Sequence, residues 1–214
     1  MRIGIIGAGA VAQAFARKAI DAEHTVVFSN SRGVESLTPV VANFGRWATA
    51  ATIEEAANNS VVLLAAPWLK VEAILRGLPT WRGQILIDAT NGFKDDGLVD
   101  FGAGSSSETV AALAPGARVV KAMNSLFMTN FVRNPVSGGF RRAIFVSGDD
   151  QAAKAQIADL FESFGFAPVD LGTLRKGGRL QAVGSPLAGH DLFLPWPAPR
   201  SFPAFNGEGR EPSQ

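Results

Sequence analysis

An α/β fold, a doubly wound parallel sheet with a short C-terminal extension, is what this 214-residue chain predicts. Three features carry it. Short apolar runs alternate with helix-like segments at the spacing of βα units. The runs VVLLAA and ILIDA are apolar throughout, as strands are when helices cover both faces of a sheet. The chain also opens MRIGIIGAGAVAQA, in which a strand, a glycine turn and an alanine-rich helix follow one another directly.

The elements follow in order. Strands are expected at Arg2–Ile6, Thr25–Phe28, Ser60–Ala65, Gln84–Asp88, Arg118–Ala122, Arg142–Ser147 and Ala167–Asp170. Helices are expected between them at Ala10–Ile20, Val34–Phe44, Ile53–Ala57, Leu69–Leu75, Ser106–Leu113 and Asp150–Phe164. The last is punctuated at both ends. Asp149 or Asp150 suits the N-cap, where exposed N–H groups favour an acceptor, and Gly165 suits a left-handed C-cap. Both carboxylates are therefore read as structural. After Asp170 the rhythm breaks, and a terminal helix is expected near Leu180–Leu194 despite Pro186. Residues 1–172 read as a dinucleotide-binding domain, 173–206 as a segment closing the substrate cleft, and 207–214 as a disordered polar tail. Trp196, Phe202 and Phe205 should pack on the body or on a second subunit. Leu192, Phe193, Leu194 and Trp196 would form an apolar patch, which favours a homodimer through this segment.

Composition removes several classes of function. Hydrophobic residues make up 47% and charged residues 18%, enough for a substantial core. The net charge of +1, without a basic run, argues against nucleic acid as a partner. With no cysteine, disulfides, thiolate catalysis and cysteine metal sites are excluded. With no tyrosine, a Tyr/Lys proton-donor pair is excluded too. Two histidines do not suggest a multi-histidine metal site. No signal-like leader stands at the N-terminus, and no apolar run reaches the roughly 18 residues of a membrane helix. A cytoplasmic protein without a membrane partner is expected.

Gly7-Ala8-Gly9-Ala10-Val11-Ala12 is a G-x-G-x-x-A turn. Gly7 permits the tight turn, Gly9 leaves no side chain between backbone and pyrophosphate, and Ala12 lets the helix lie close to the strand. The helix N-terminus at Ala10 and Val11 then offers free N–H groups to the phosphates. This marks a Rossmann-type dinucleotide site. An NAD-preferring site would place Asp or Glu about 20 residues further on. The stretch FSNSRG offers Ser29, Asn30, Ser31 and Arg32 there, with no carboxylate. An arginine at this place suits the 2′-phosphate of NADP through charge-assisted hydrogen bonds. The alternative is an ordinary polar turn with Arg32 in solvent.

Three further stretches end strands at the ligand edge of such a sheet. In Ala65-Ala66-Pro67-Trp68 the alanines leave room, Pro67 fixes the backbone, and Trp68 either covers a ring or packs in the core. Thr90, Asn91 and Asn124 suit a nicotinamide ribose or carboxamide. Lys121 is read as a strand residue with a solvated tip rather than a proton donor. Arg175, Lys176 and Arg179 either steer an anionic substrate or form a solvated basic loop. His190 lacks the surroundings of a catalyst, and no side chain is assigned a catalytic role.

Together these stretches resemble the F420-dependent NADP oxidoreductase family. The resemblance rests on MRIGIIGAGAVAQA, SNSRG, VVLLAAPW, DATN, VVKAMNS, FVSGDD and GGRLQAVGSPLAGH, in that order over about residues 1–190. It implies that Ser31 and Arg32 bind the NADP 2′-phosphate and that Gly7, Gly9, Ala10 and Val11 cradle the pyrophosphate. It also implies that Pro67, Trp68, Asn91 and Asn124 border the nicotinamide, and that hydride passes to the deazaflavin F420 or a flavin. That transfer needs oriented rings rather than a protein acid or base. Two alternatives stand beside it. One is an imine reductase related to pyrroline-5-carboxylate reductase, for whose long helical dimerisation domain this chain leaves no room. The other is an NADPH-binding sensor without turnover.

Overall fold

The computed structural model describes residues 1–197. Phe202, Phe205 and the 207–214 tail lie outside them. In chain order the strands and helices are β1 (Arg2–Ile6), α1 (Ala10–Asp21), β2 (Thr25–Ser29), α2 (Thr38–Ala42), β3 (Ala48–Ala50), α3 (Ile53–Ala57), β4 (Val61–Leu64) and α4 (Trp68–Arg76). Then come β5 (Ile85–Asp88), a hairpin of β6 (Phe93–Lys94) and β7 (Gly97–Leu98), α5 (Ser106–Leu113), β8 (Arg118–Ala122) and α6 (Met128–Phe131). The chain continues with β9 (Val136–Ser137), β10 (Phe140–Gly148), α7 (Gln151–Ser163), β11 (Ala167–Asp170), α8 (Lys176–Leu180) and β12 (Phe193–Pro195).

The main sheet runs β3-β2-β1-β4-β5-β8-β10-β11. The chain starts at β1, winds outward to β3, then crosses back to β4. Strand order therefore reverses between β1 and β4, where doubly wound sheets open a ligand crevice beyond the carboxyl ends of their strands. Successive side chains go to opposite faces, and both faces are buried. Ile3, Ile5, Val61 and Leu63 join a core with Phe15 of α1 and Ile157 and Phe161 of α7. Ile6, Val62 and Leu64 join one with Val71 and Leu75 of α4 and Val110 of α5. Close approach is built in: a Cβ on Gly4 would collide with the Ala56 carbonyl of α3.

Three expectations need correction, and one strand went unexpected. The sheet is not wholly parallel, because β10 runs antiparallel to β8. No long crossover helix separates them; the chain passes α6 and reverses in the tight β9–β10 hairpin through Gly138 and Gly139, with β11 then parallel to β10. The helix expected at Val34–Phe44 is broken into a 3₁₀ turn (Val34–Leu37) and α2, with Pro39 in the first turn of α2, where its missing N–H is harmless. Strand β3 has only three residues and no marked apolar pattern, and so escapes sequence reading. No helix forms over Leu180–Leu194. Gly184 and Gly189 take φ of 80° and 81°, and the segment leads into β12, paired with the start of β10.

That return is anchored by Arg142, which is 3% exposed and whose Nε donates to Asp191 Oδ1 at 2.6 Å. Trp196 packs on the body, its Nε1 donating to Glu162 Oε1 at 3.1 Å. Asp150 caps α7 by accepting from Ala153 N at 2.8 Å, Asp149 accepts from Leu174 N, and Gly165 has φ of 90°.

Lys154 donates to both carboxylate oxygens of Asp170, at 2.9 and 2.8 Å. Partial burial alone would raise the Asp170 pKa, but the hydrogen bonds from Lys154 and the Gly172 N–H hold it below the usual value of 3.8. A depressed carboxylate contributes stability that is present above its ordinary pKa and is lost as pH falls through the folded one. Asp170→Asn should lower stability at neutral pH by about 1 kcal/mol, since Asp170 is half-exposed. In denaturant titrations that deficit should shrink progressively below pH 3.8. A deficit unchanged down to pH 2 would contradict this.

Candidate cofactor-binding cleft

At the reversal point the ends of β1, β2, β4 and β5 surround a cleft of about 830 Å³. Its floor is the turn after β1. Gly7 has φ of 126°, and a Cβ there would collide with the Ala65 carbonyl oxygen, so the fold itself requires glycine. Gly9 differs. It caps α1 with φ of −78°, which any residue adopts, and a Cβ there would meet nothing within 4 Å. The fold itself therefore makes no demand for glycine here. No side chain caps α1, and no acidic residue stands in its first turn, so its N–H groups remain available to an anion.

On one side lies the turn after β2. Asn30 braces it: its Oδ1 accepts from Arg32 N at 2.8 Å, and its Nδ2 donates to Ser36 Oγ at 3.0 Å. Ser31 and Arg32 are exposed at the rim. Ser29 is not a cleft residue. It is fully buried and its hydroxyl donates to Ile5 O at 2.8 Å, tying β2 to β1. The expectation that its side chain contributes a donor there is therefore corrected.

Beyond β4, Ala65, Ala66 and Pro67 form a wall of small side chains, and Trp68 begins α4. The Trp68 ring is half-buried and lies edge-on to Phe101 at 5.2 Å, so it is both a cleft residue and a packed one.

Asn91, beyond β5, also lines the cleft, but its amide is committed to Asn124: Nδ2 donates to Asn124 O at 2.9 Å, and Oδ1 accepts from Asn124 Nδ2 at 3.2 Å. Asn124 does not border the cleft. It is 7% exposed and its Nδ2 also donates to Gln181 O at 2.7 Å, so it supports Asn91 from behind.

Lys121 likewise departs from expectation. Its tip is not solvated; the residue is 0% exposed. It sits beside Asp88 in register between β5 and β8, with Nζ 3.3 Å from Asp88 Oδ2, 3.1 Å from Thr90 O and 3.0 Å from Ser106 Oγ. Asp88 also accepts from Thr90 N, Thr90 Oγ1 and Ser107 Oγ. This buried network fixes the 89–91 loop, which forms the cleft wall.

The structure thus brings together Gly7, Gly9, Ala10, Val11, Asn30, Ser31, Arg32, Ala66, Pro67, Trp68 and Asn91, and leaves out Ser29 and Asn124. Sequence reasoning missed Ile53, Ile74 and the hairpin residues Phe93, Lys94 and Asp95. The Asp-Asp-Gly turn between Phe93 and Leu98 is a hairpin signal that could have placed the last three. The ionisable residues lining the cleft, Arg32, Lys70, Lys94 and Asp95, are all exposed. The described part of the 173–206 segment lines a different cleft, with none of its residues in this one. Among the described residues no group of three or more His, Asp or Glu could hold a metal, and no helix is long and apolar enough to cross a membrane.

A glycine turn feeding an uncapped helix at the reversal point of a mainly parallel sheet defines a Rossmann-type dinucleotide-binding fold. Residues 2–92 match the model of the family described as NADP oxidoreductase, coenzyme F420-dependent. The chain is similar to the hypothetical protein SMa0349 of Sinorhizobium meliloti, with 38% identity and a TM-score of 0.85 over 91% of this chain and 96% of that one. It shares the fold of a reductive aminase from Aspergillus terreus in complex with NADPH and ethyl levulinate, at 20% identity and a TM-score of 0.63, covering 86% of this chain and 59% of that one. Among curated proteins it is 26% identical over 185 residues to the metalloreductase STEAP3 of Rattus norvegicus. That match covers 85% of this chain but 36% of the relative's length.

Proposed function

We propose that this protein passes hydride between NADP(H) held in the cleft and a flavin-type or deazaflavin acceptor such as F420. The observation that carries this reading is the lining itself. A phosphate-accepting helix end, a turn after β2 bearing Arg32 and no carboxylate, and a small-residue wall at Ala65–Pro67 converge on one cavity. Bound NADPH supplies the hydride, and the chain's residues bind and orient. Gly9 and the first turn of α1 receive the pyrophosphate, Ser31 and Arg32 the 2′-phosphate, and Ala66, Pro67 and Trp68 border the nicotinamide. No lining side chain is poised to exchange a proton with substrate, which suits ring-to-ring transfer better than carbonyl reduction.

Two experiments test it. Arg32→Ala should raise the NADPH dissociation constant about tenfold to a hundredfold, through loss of a charge-assisted contact, and leave NADH affinity alone. Isothermal titration reads both, and little change would mean that Arg32 points away from the cofactor. For the acceptor, NADPH-loaded protein is mixed with F420, FMN, FAD or pyrroline-5-carboxylate while the nicotinamide absorbance is followed. Oxidation by F420 or a flavin is expected. Oxidation by pyrroline-5-carboxylate alone would favour an imine reductase, and none with any acceptor would favour a sensor.

A further inference from the structure

A second cleft, of about 600 Å³, lies between α5 and α8. Arg175, Lys176 and Arg179 line it, all exposed, and none of them forms an ion pair among the described residues. Ser105 and Ser106 line it too, each 4% exposed. The glycines of α8 let it lie close to these groups: a Cβ on Gly178 would stand 3.1 Å from Ser105 Oγ, closer than ordinary van der Waals contact.

The two hydroxyl oxygens are already engaged as acceptors. Ser105 Oγ accepts from Glu108 N at 3.2 Å, and Ser106 Oγ from Lys121 Nζ at 3.0 Å. Their O–H groups are left to donate. The neighbouring carboxylate, Glu108, is itself engaged by the Ser105 N–H at 2.7 Å. Cations and hydroxyl donors on the wall call for a ligand group made only of acceptors, a phosphoryl or a carboxylate, and Arg175 and Arg179 suit its oxygens through their planar forks.

This cleft is close to the first. Phe101 lines it, and the ring of Phe101 stands against Trp68 of the cofactor cleft. Lys121 Nζ bonds Thr90 O on one side and Ser106 Oγ on the other. We propose that the second cleft binds the phosphoryl or carboxylate tail of the acceptor, so that the acceptor's ring reaches the Trp68 side of the cofactor cleft. The assignment of that tail to a hydride acceptor rests on the reading above; the anion site does not.

FMN and riboflavin share a ring and differ in the phosphate, so their binding to NADP⁺-saturated protein, read by flavin fluorescence, tests the proposal. FMN should bind at least about tenfold more tightly than riboflavin. In Arg175→Ala/Arg179→Ala, FMN affinity should fall to the riboflavin value. Equal binding of the two flavins to the parent protein overturns the proposal. Inorganic phosphate, titrated calorimetrically into the same NADP⁺-saturated proteins, separates the two readings. Phosphate that binds the parent but not the variant, with neither flavin bound, upholds the anion site and sinks the flavin acceptor. Phosphate binding that is absent, or indifferent to the two arginines, overturns the site itself. Unchanged thermal stability and NADP⁺ affinity of the variant show that it is folded.

Discussion

A Gly9→Val variant is expected to fold and to lose NADPH affinity by at least about a hundredfold, roughly 2.7 kcal/mol. The argument turns on how little the protein itself asks of this position. Gly9 has an extended backbone, φ −78° and ψ −170°, which valine adopts readily, and its Cβ would point into open space. The change should cost the fold about 1 kcal/mol at most, from a poorer N-cap. A bound pyrophosphate would meet the new side chain directly. Gly7 provides the contrast. Its φ of 126° and the collision with the Ala65 carbonyl mean that Gly7→Ala should damage the fold before binding is tested. Thermal denaturation and NADPH titration of Gly9→Val together check the account. A folded variant that binds NADPH undiminished would remove the cofactor from this turn.

Lys121→Met should destabilise the protein by about 3 kcal/mol. The substitution leaves the fully buried Asp88 carboxylate without its counter-charge, although donors from Thr90 and Ser107 remain. Those donors set the loss at the lower end of what breaking a buried pair costs. Replacing both partners, as Asp88→Asn/Lys121→Met, should be less harmful than the single change, because no uncompensated charge is then buried. Denaturant unfolding measures all three proteins. A loss under about 1 kcal/mol would mean that water relaxes the site. A double variant worse than Lys121→Met would mean that the network, not the charge, is what matters.

The contrast between these positions shows what sequence could reveal. The glycine turn and the buried strands were legible because each is local, set by backbone sterics and by short unbroken apolar runs. Lys121 was not. A single lysine in RVVKA gives no sign that the partner in register on the neighbouring strand is Asp88, because register is a tertiary fact. Ser29 misled for a similar reason: its place after the second strand suggested a ligand donor, but its hydroxyl turns inward to Ile5 O. The direction of β10 was hidden as well, since Arg142–Ser147 is equally apolar in a parallel or an antiparallel strand. The basic stretch Arg175–Arg179 gave two readings in sequence. Its lining of a cleft beside buried serines is what makes it a candidate site.

The central claim is that the rim at Ser31 and Arg32, with no acidic residue facing the cleft there, selects NADP over NAD. Parallel titrations of the protein with NADPH and with NADH test it most directly. NADPH should bind at least about tenfold more tightly, the worth of one charge-assisted contact to the 2′-phosphate. Equal affinity for the two would contradict it.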